Sequence, residues 1–285
     1  MTNKTLYNYQ PIILIGAGRS GTKIIRDVLG SHTDIDIIPF DVNYIWRIGL
    51  KQAQDDSIEP NQLTLSNRKR IIGQFNKLSK GSKFLLEKTV SNSLRVPYVL
   101  KVFPNARFIH LIRDGRDVTE SVLRQWGEVR EMSYILKKLK TFPIWYAFSY
   151  LLEYGINWLS FRLGKKGKDH YIWGVKYPGY KKDLDNLSKL EVCAKQWKVC
   201  VETSERQLEA LPHESVLKVK YEDLVTHPDK FLPIIGEFIG LDNTLFDAKR
   251  LNPGNIHKYK SAFNPSQLKK VNNIIGQTLT QLNYT

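Results

Sequence analysis

The sequence predicts an α/β fold in which a central parallel sheet is flanked by helices in three layers. Two observations carry that prediction. Residues 11–15, 83–87, 107–112 and 215–221 are apolar or alternating runs that read as strands, and helical patterns follow most of them. Alternating strands and helices imply a parallel sheet covered on both faces, with ligands at the carboxyl ends of the strands. At 285 residues, 42% hydrophobic and 25% charged, the chain suits one sizeable domain spanning 1–285, with residues of about 127–185 as a helical acceptor-side or membrane-facing insertion.

The first strand runs directly into Gly16-Ala17-Gly18-Arg19-Ser20-Gly21-Thr22-Lys23. Glycines let the backbone turn sharply and bring N–H groups close to an anion, and a helix starting near Gly21 aims its unsatisfied N–H groups and positive dipole end at the same point. The layout is P-loop-like, with Arg19, Ser20, Thr22 and Lys23 as added donors. It departs from the nucleotide-triphosphate loop G-x-x-x-x-G-K-[ST], because Thr22 and then Lys23 follow Gly21 and an arginine stands inside the loop. Beyond it, Ile24, Ile25, Val28 and Leu29 form an apolar stripe at helical spacing, stopped at Gly30.

The 83–87 strand ends in Glu87-Lys88-Thr89, and the 107–112 strand in Arg113-Asp114-Gly115-Arg116-Asp117. Ser121 stands eight residues after Arg113, about two turns into the next helix, on the face that looks back toward it. An arginine fork with a hydroxyl suits a terminal phosphate. Val118, Val122 and Trp126 are the core stripe of that helix. The 215–221 strand ends in Tyr221-Glu222-Asp223-Leu224. Residues 229–239 and 266–282 read as further helices, the last with Asn264 as cap, Pro265 at its first position and Leu268, Val271, Ile275, Leu279 and Leu282 facing inward.

With both loops in hand, the chain resembles the sulfotransferases that use 3′-phosphoadenosine 5′-phosphosulfate (PAPS), in the branch containing tyrosylprotein and carbohydrate-type enzymes. The R-S-G-T loop and the Arg113–Ser121 pair carry the likeness, with Glu87-Lys88-Thr89, Phe103-Pro104-Asn105-Ala106, Tyr221-Glu222-Asp223-Leu224 and Lys258-Tyr259-Lys260 as further landmarks in order. Lys23, Val90 and Tyr259 depart from common Thr, Pro and Trp, and none of these departures removes a phosphate ligand.

The resemblance implies that Gly18, Arg19, Ser20, Gly21, Thr22 and Lys23 grip the 5′ group and that Arg113 and Ser121 grip the 3′-phosphate. Tyr221 would lie near the adenosine, and Lys258 and Lys260 on a loop closing over the nucleotide. Sulfuryl transfer needs an in-line arrangement and positive charge where negative charge develops, without an obligatory metal. Arg19 and Lys88 are the candidates for that charge. Asp41 is the first candidate for the base on the acceptor hydroxyl; Asp34 and Asp36 compete with it, His32 is weaker, and Asp114 and Asp117 more readily orient Arg113 and Arg116.

The acceptor that the reading favours is a sugar, polysaccharide or glycolipid, with protein tyrosine as a variant. A P-loop kinase or NTPase is the rival, and it wants a lysine directly after Gly21 and a magnesium-binding acid where Arg113 stands first. A net charge of +15 also admits a basic membrane- or nucleic-acid-binding module on a dead cofactor fold, though no nucleic-acid motif is present. Residues 143–163 are apolar and aromatic between lysines, which suits a buried or substrate-covering helix, an interfacial helix giving peripheral membrane contact, or a span. Cys193 and Cys200 lie roughly 10 Å apart along a helix, too far for a disulfide. Unpaired thiols and a polar start at Met1–Gln10 lead to the expectation of a cytoplasmic protein.

Overall fold

A computed structural model describes residues 6–50, 54–127, 172–241 and 245–284. Five parallel strands form one sheet: β1 (Gln10–Ile15), β2 (Ile35–Ile37), β3 (Phe84–Glu87), β4 (Arg107–Ile112) and β5 (Val216–Lys220), in the order β2-β3-β1-β4-β5. Four match the expected runs. β2 was not foreseen, since three residues are too few to display a period.

Period-two alternation decides what covers each face. Ile13 and Ile15 of β1 point into a core shared with Trp46, Ile71, Phe75, Val99 and Phe103, from helices α2 (Asn43–Trp46), α3 (Leu65–Leu78), α4 (Val96–Val102) and the residue after α4. Ile12 and Leu14 point the other way, onto Ile25, Val28 and Leu29 of α1 (Thr22–Leu29) and onto Leu224, Ile235 and Ile239 from the helices Tyr221–Thr226 and Pro228–Ile239. These are the three predicted layers.

A third core joins Val118 and Val122 of α5 (Gly115–Gly127) to Cys193, Trp197 and Cys200 of the helix Lys189–Glu209 and to Val271, Ile275 and Leu279 of the helix Pro265–Gln281. That last helix has the expected start: the Asn264 side chain accepts from Gln267 N–H, with Pro265 at the first position. Both cysteines are unpaired and buried, and burial pushes each thiol up to about 12. No helix among the described residues is long and apolar enough to cross a membrane. Residues 143–163 and most of 127–185 lie outside the described residues.

The register sets the height of the site. Ile15 pairs with His110 and Ile112 with Lys220, so Gly18, Arg113 and Tyr221 leave their strands at one level. The chain leaves β1 toward β2 and leaves β4 toward β5, so the crevice between the ends of β1 and β4 is the switch point of the sheet.

Candidate anion and sulfuryl-transfer site

The Gly16–Lys23 loop occupies that switch point. At Gly16 a Cβ would lie 2.8 Å from the Leu111 carbonyl oxygen, so the loop packs against β4 only with glycine there. Arg19 takes a left-handed φ of 69° and Gly21 a φ of 91°, which turns the chain into α1. Gly21 is the N-cap of α1 and no side chain caps the helix. The first-turn N–H groups therefore face the loop mouth without a side-chain acceptor.

Within this cradle the Ser20 hydroxyl is buried and has no hydrogen-bond partner among the described residues. The buried Arg113 Nε is in the same condition. Buried polar groups are ordinarily paired, and orphans at a helix N-terminus are groups awaiting an oxygen ligand. The chemistry of this donor set fits a phosphate or sulfate ester.

Arg113 is held from four sides. It donates to the Arg19 carbonyl at 3.1 Å and to the Asn255 carbonyl at 2.6 Å, pairs with Asp117 at 3.6 Å, and lies 4.7 Å over the Tyr221 ring. Its own carbonyl accepts from Trp197 Nε1 at 3.1 Å. Ser121 meets the loop through Arg19, whose Nε donates to its Oγ at 2.9 Å. The two sequence motifs thus meet across the crevice, with Ser121 bonded to Arg19 and Arg113 to the same residue's backbone.

Tyr221 also packs under the loop. A Cβ at Gly21 would lie 2.4 Å from its ring. Gly21→Ala therefore combines left-handed strain of about 1–2 kcal/mol with overpacking of about 1–3 kcal/mol. Thermal denaturation should show a fall on the order of 10 °C; an unchanged Tm would disprove the Gly21–Tyr221 packing.

Asp114 and Asp117 orient the arginines, as expected. Asp114 pairs with Arg116 at 2.7 Å and is almost fully buried. Asp117 receives Arg113 and the backbone N–H groups of His257 and Tyr259, at 2.8 and 3.0 Å. It thereby ties down the loop that carries Lys258 and Lys260. Both lysines are exposed, and so is Lys23 on the first turn of α1. Glu222, one of the landmark residues given no role above, accepts from Asp114 N–H at 2.9 Å and locks the exit of β4 to the Tyr221 helix.

On the other side of β1, the segment after β2 meets the segment after β3. Asp41 forms an ion pair with Lys88, whose ammonium is buried while the carboxylate is about a third exposed. The competing acids lie elsewhere. Asp34 and His32 precede β2, at the amino end of the sheet. Asp36 accepts from Lys80 N–H, Ser82 N–H and the Ser82 hydroxyl at 2.6, 3.1 and 3.0 Å. Burial pushes its carboxyl up, but these hydrogen bonds outweigh that and hold it below the ordinary carboxylate value. It is a turn-fixing acid.

Beneath Lys88, Glu87 is wholly buried, and burial pushes its carboxyl up to about 7 against the hydrogen bonds from Thr89 and Trp46. A raised carboxyl pKa means that the folded state holds a proton the unfolded chain has released. Its contribution, at most about 3 kcal/mol, is present at pH 5 and lost as pH rises through about 7. The Tm of the wild type minus that of Glu87→Gln should therefore grow as pH falls from 8 to 5. A constant difference would place the carboxyl in the ordinary range.

The fold and this crevice define an α/β protein of the P-loop-like kind. Residues 11–147 match the family model described as the sulfotransferase family. The chain is 21% identical over 252 residues to a protein-tyrosine sulfotransferase of Drosophila melanogaster, covering 83% of this chain and 40% of that protein. It is 23% identical to protein-tyrosine sulfotransferase 1 of Danio rerio, covering 83% and 55%. The chain thus spans about half the length of these relatives. Among solved structures, the sulfotransferase domain of the curacin biosynthetic pathway superposes with a TM-score of 0.54 at 15% identity, covering 97% of this chain and 98% of that one. A sulfotransferase of Mycobacterium avium gives 0.52 at 13% identity, covering 96% and 77%. Over residues 11–147 the chain is thus similar to the sulfotransferase family.

Proposed function

We propose that the protein transfers the sulfuryl group of PAPS to a hydroxyl acceptor. The observation that carries this reading is the crevice between β1 and β4, where an uncapped helix start, the orphaned Ser20 hydroxyl and the arginine pair Arg19 and Arg113 converge. Gly18 through Lys23 would hold the 5′ end of the nucleotide, and Arg113 with Ser121 the 3′-phosphate. Tyr221 would lie by the adenosine, with Lys258 and Lys260 over the nucleotide from their loop. The donor supplies an activated sulfuryl group.

The chain's own residues do the rest. The Arg19 guanidinium stabilises charge on the leaving phosphate, a role suited to a group fixed in advance by its bond to Ser121. Lys88 places a second positive charge at the end of β3. Asp41 beside it accepts the proton of the attacking hydroxyl, and the resulting carboxylic acid keeps Lys88 as a neighbour.

The acceptor that we favour is the phenolic hydroxyl of tyrosine in a protein, because the relatives from Drosophila melanogaster, Caenorhabditis elegans and Danio rerio are protein-tyrosine sulfotransferases. A sugar or glycolipid hydroxyl, favoured by the sequence alone, gains no support from the relatives. The kinase alternative fares worse on geometry, since Asp114, the acid that follows Arg113 at the end of β4, is committed to Arg116. Calorimetric titration with 3′-phosphoadenosine 5′-phosphate (PAP), alongside ATP with magnesium, tests the reading. Metal-independent binding of PAP supports it, and magnesium-dependent ATP binding without PAP binding overturns it. A panel of tyrosine peptides, oligosaccharides and glycolipids then decides the acceptor.

A further inference from the structure

We propose that Glu87 is a positioning residue whose buried carboxylate fixes the segment bearing Asp41 and so sets the Asp41–Lys88 pair for proton removal; this rests on the sulfotransferase reading. Three separate routes run from that carboxylate to residues 42–46. The Thr89 hydroxyl donates to Glu87 Oε1 and accepts the Val42 N–H at 2.9 Å. Trp46 Nε1 donates directly to the same oxygen at 3.2 Å. Asn92 Nδ2 donates to Oε2 at 2.8 Å; the Asn92 side-chain oxygen accepts Arg95 Nε at 2.8 Å, and Arg95 Nη2 donates to the Asn43 side-chain oxygen at 2.7 Å.

Asp41 immediately precedes the segment gripped at Val42, Asn43 and Trp46. Lys88 stands between Glu87 and Thr89 in the chain. One carboxylate therefore fixes both partners of the pair, one through the backbone and the other through the hydrogen-bonded side chains. All three groups on Glu87 are donors, so the carboxylate, the form it takes above about pH 7, satisfies them and a carboxamide does not: the amide of Gln would present N–H groups to one of the three. A largely buried network of this kind confers orientation only if complete.

The role predicts a split between binding and turnover, because the hydrogen bonds of the network run to residues 42–46 and 87–95 rather than to the Gly16–Lys23 loop. The experiment measures PAP affinity by calorimetry and the rate of PAP release from PAPS, with a tyrosine peptide and with water alone as acceptor. Glu87→Gln and Thr89→Val should each lower the rate roughly 10- to 100-fold while PAP affinity stays within about twofold, by the usual scale of misplacing a catalytic group. Thr89→Ser, which keeps the hydroxyl, should restore the rate to within about threefold. If Glu87→Gln does not fold, the pair Thr89→Val and Thr89→Ser carries the test. Folded variants with the wild-type rate, or a parallel loss of PAP affinity and rate, would overturn the positioning role. Failure of the wild type to bind PAP would overturn the sulfotransferase reading instead.

Discussion

Arg19→Ala should lower sulfuryl transfer on the order of 1,000-fold while changing PAP affinity less than tenfold. Removing a single fixed donor from the place where transition-state charge develops costs about 100- to 1,000-fold elsewhere, and Arg19 brings a full positive charge as well. Its geometry argues for that role rather than for ground-state binding. The backbone adopts a left-handed φ of 69°, a conformation uncommon for a side chain of this size. The guanidinium is then held by Ser121 at 2.9 Å. Such a conformation costs about 1 kcal/mol or more, and it aims the side chain into the crevice. Arg19→Lys keeps the charge but not the fork geometry, so an intermediate rate is expected. Single-turnover release of PAP from PAPS measures the effect without interference from product dissociation. A wild-type rate in Arg19→Ala would remove this residue from the chemistry.

The parts of the site that the sequence reveals are those built from contiguous residues. The strand–turn–helix around Gly16–Lys23 is visible because an apolar run, glycines and hydroxyls fall within a dozen positions. Arg113 and Ser121 are visible for the same reason, being two turns apart on one segment. What joins the segments is not visible. The Arg19–Ser121 bond spans 102 residues and the Trp46–Glu87 bond spans 41. Nothing in the local pattern around Trp46 distinguishes an indole that serves a carboxylate from one that only fills core.

The positions of Asp41 and Asn255 stay hidden for the same reason. Asp34, Asp36 and Asp41 are equivalent as letters in one stretch, and β2 separates them, placing Asp34 before the strand, Asp36 within it and Asp41 beyond its carboxyl end. That strand, at three residues, leaves no periodic trace. Asn255 grips Arg113 through its backbone carbonyl, a role that any residue type could fill. A longer strand, or a side chain in place of that carbonyl, would have been legible.

Arg113→Ala should weaken PAP binding at least 100-fold and also lower stability. Two charge-assisted hydrogen bonds to a phosphate, at about 1.5–3 kcal/mol each, correspond to a factor of 100 or more in affinity. The second effect comes from the residue's other contacts. Asp117 has no exposure to solvent, and Arg113 is its cationic partner at 3.6 Å. Removing the arginine leaves a buried carboxylate with the N–H groups of His257 and Tyr259 and the charge of Arg116, which is itself committed to Asp114, a loss of roughly 3 kcal/mol. The Asn255 carbonyl and the Tyr221 ring lose their contacts in the same step, so the 252–260 loop should loosen. To separate anion recognition from this structural loss, AMP, which lacks the 3′-phosphate, is titrated beside PAP below the melting temperature of the variant. If Arg113 reads the 3′-phosphate, the wild type prefers PAP to AMP and Arg113→Ala binds the two alike. If the variant keeps the full preference, the 3′-phosphate is held by other groups, and Lys258 and Lys260 on the loop above become the residues to replace next.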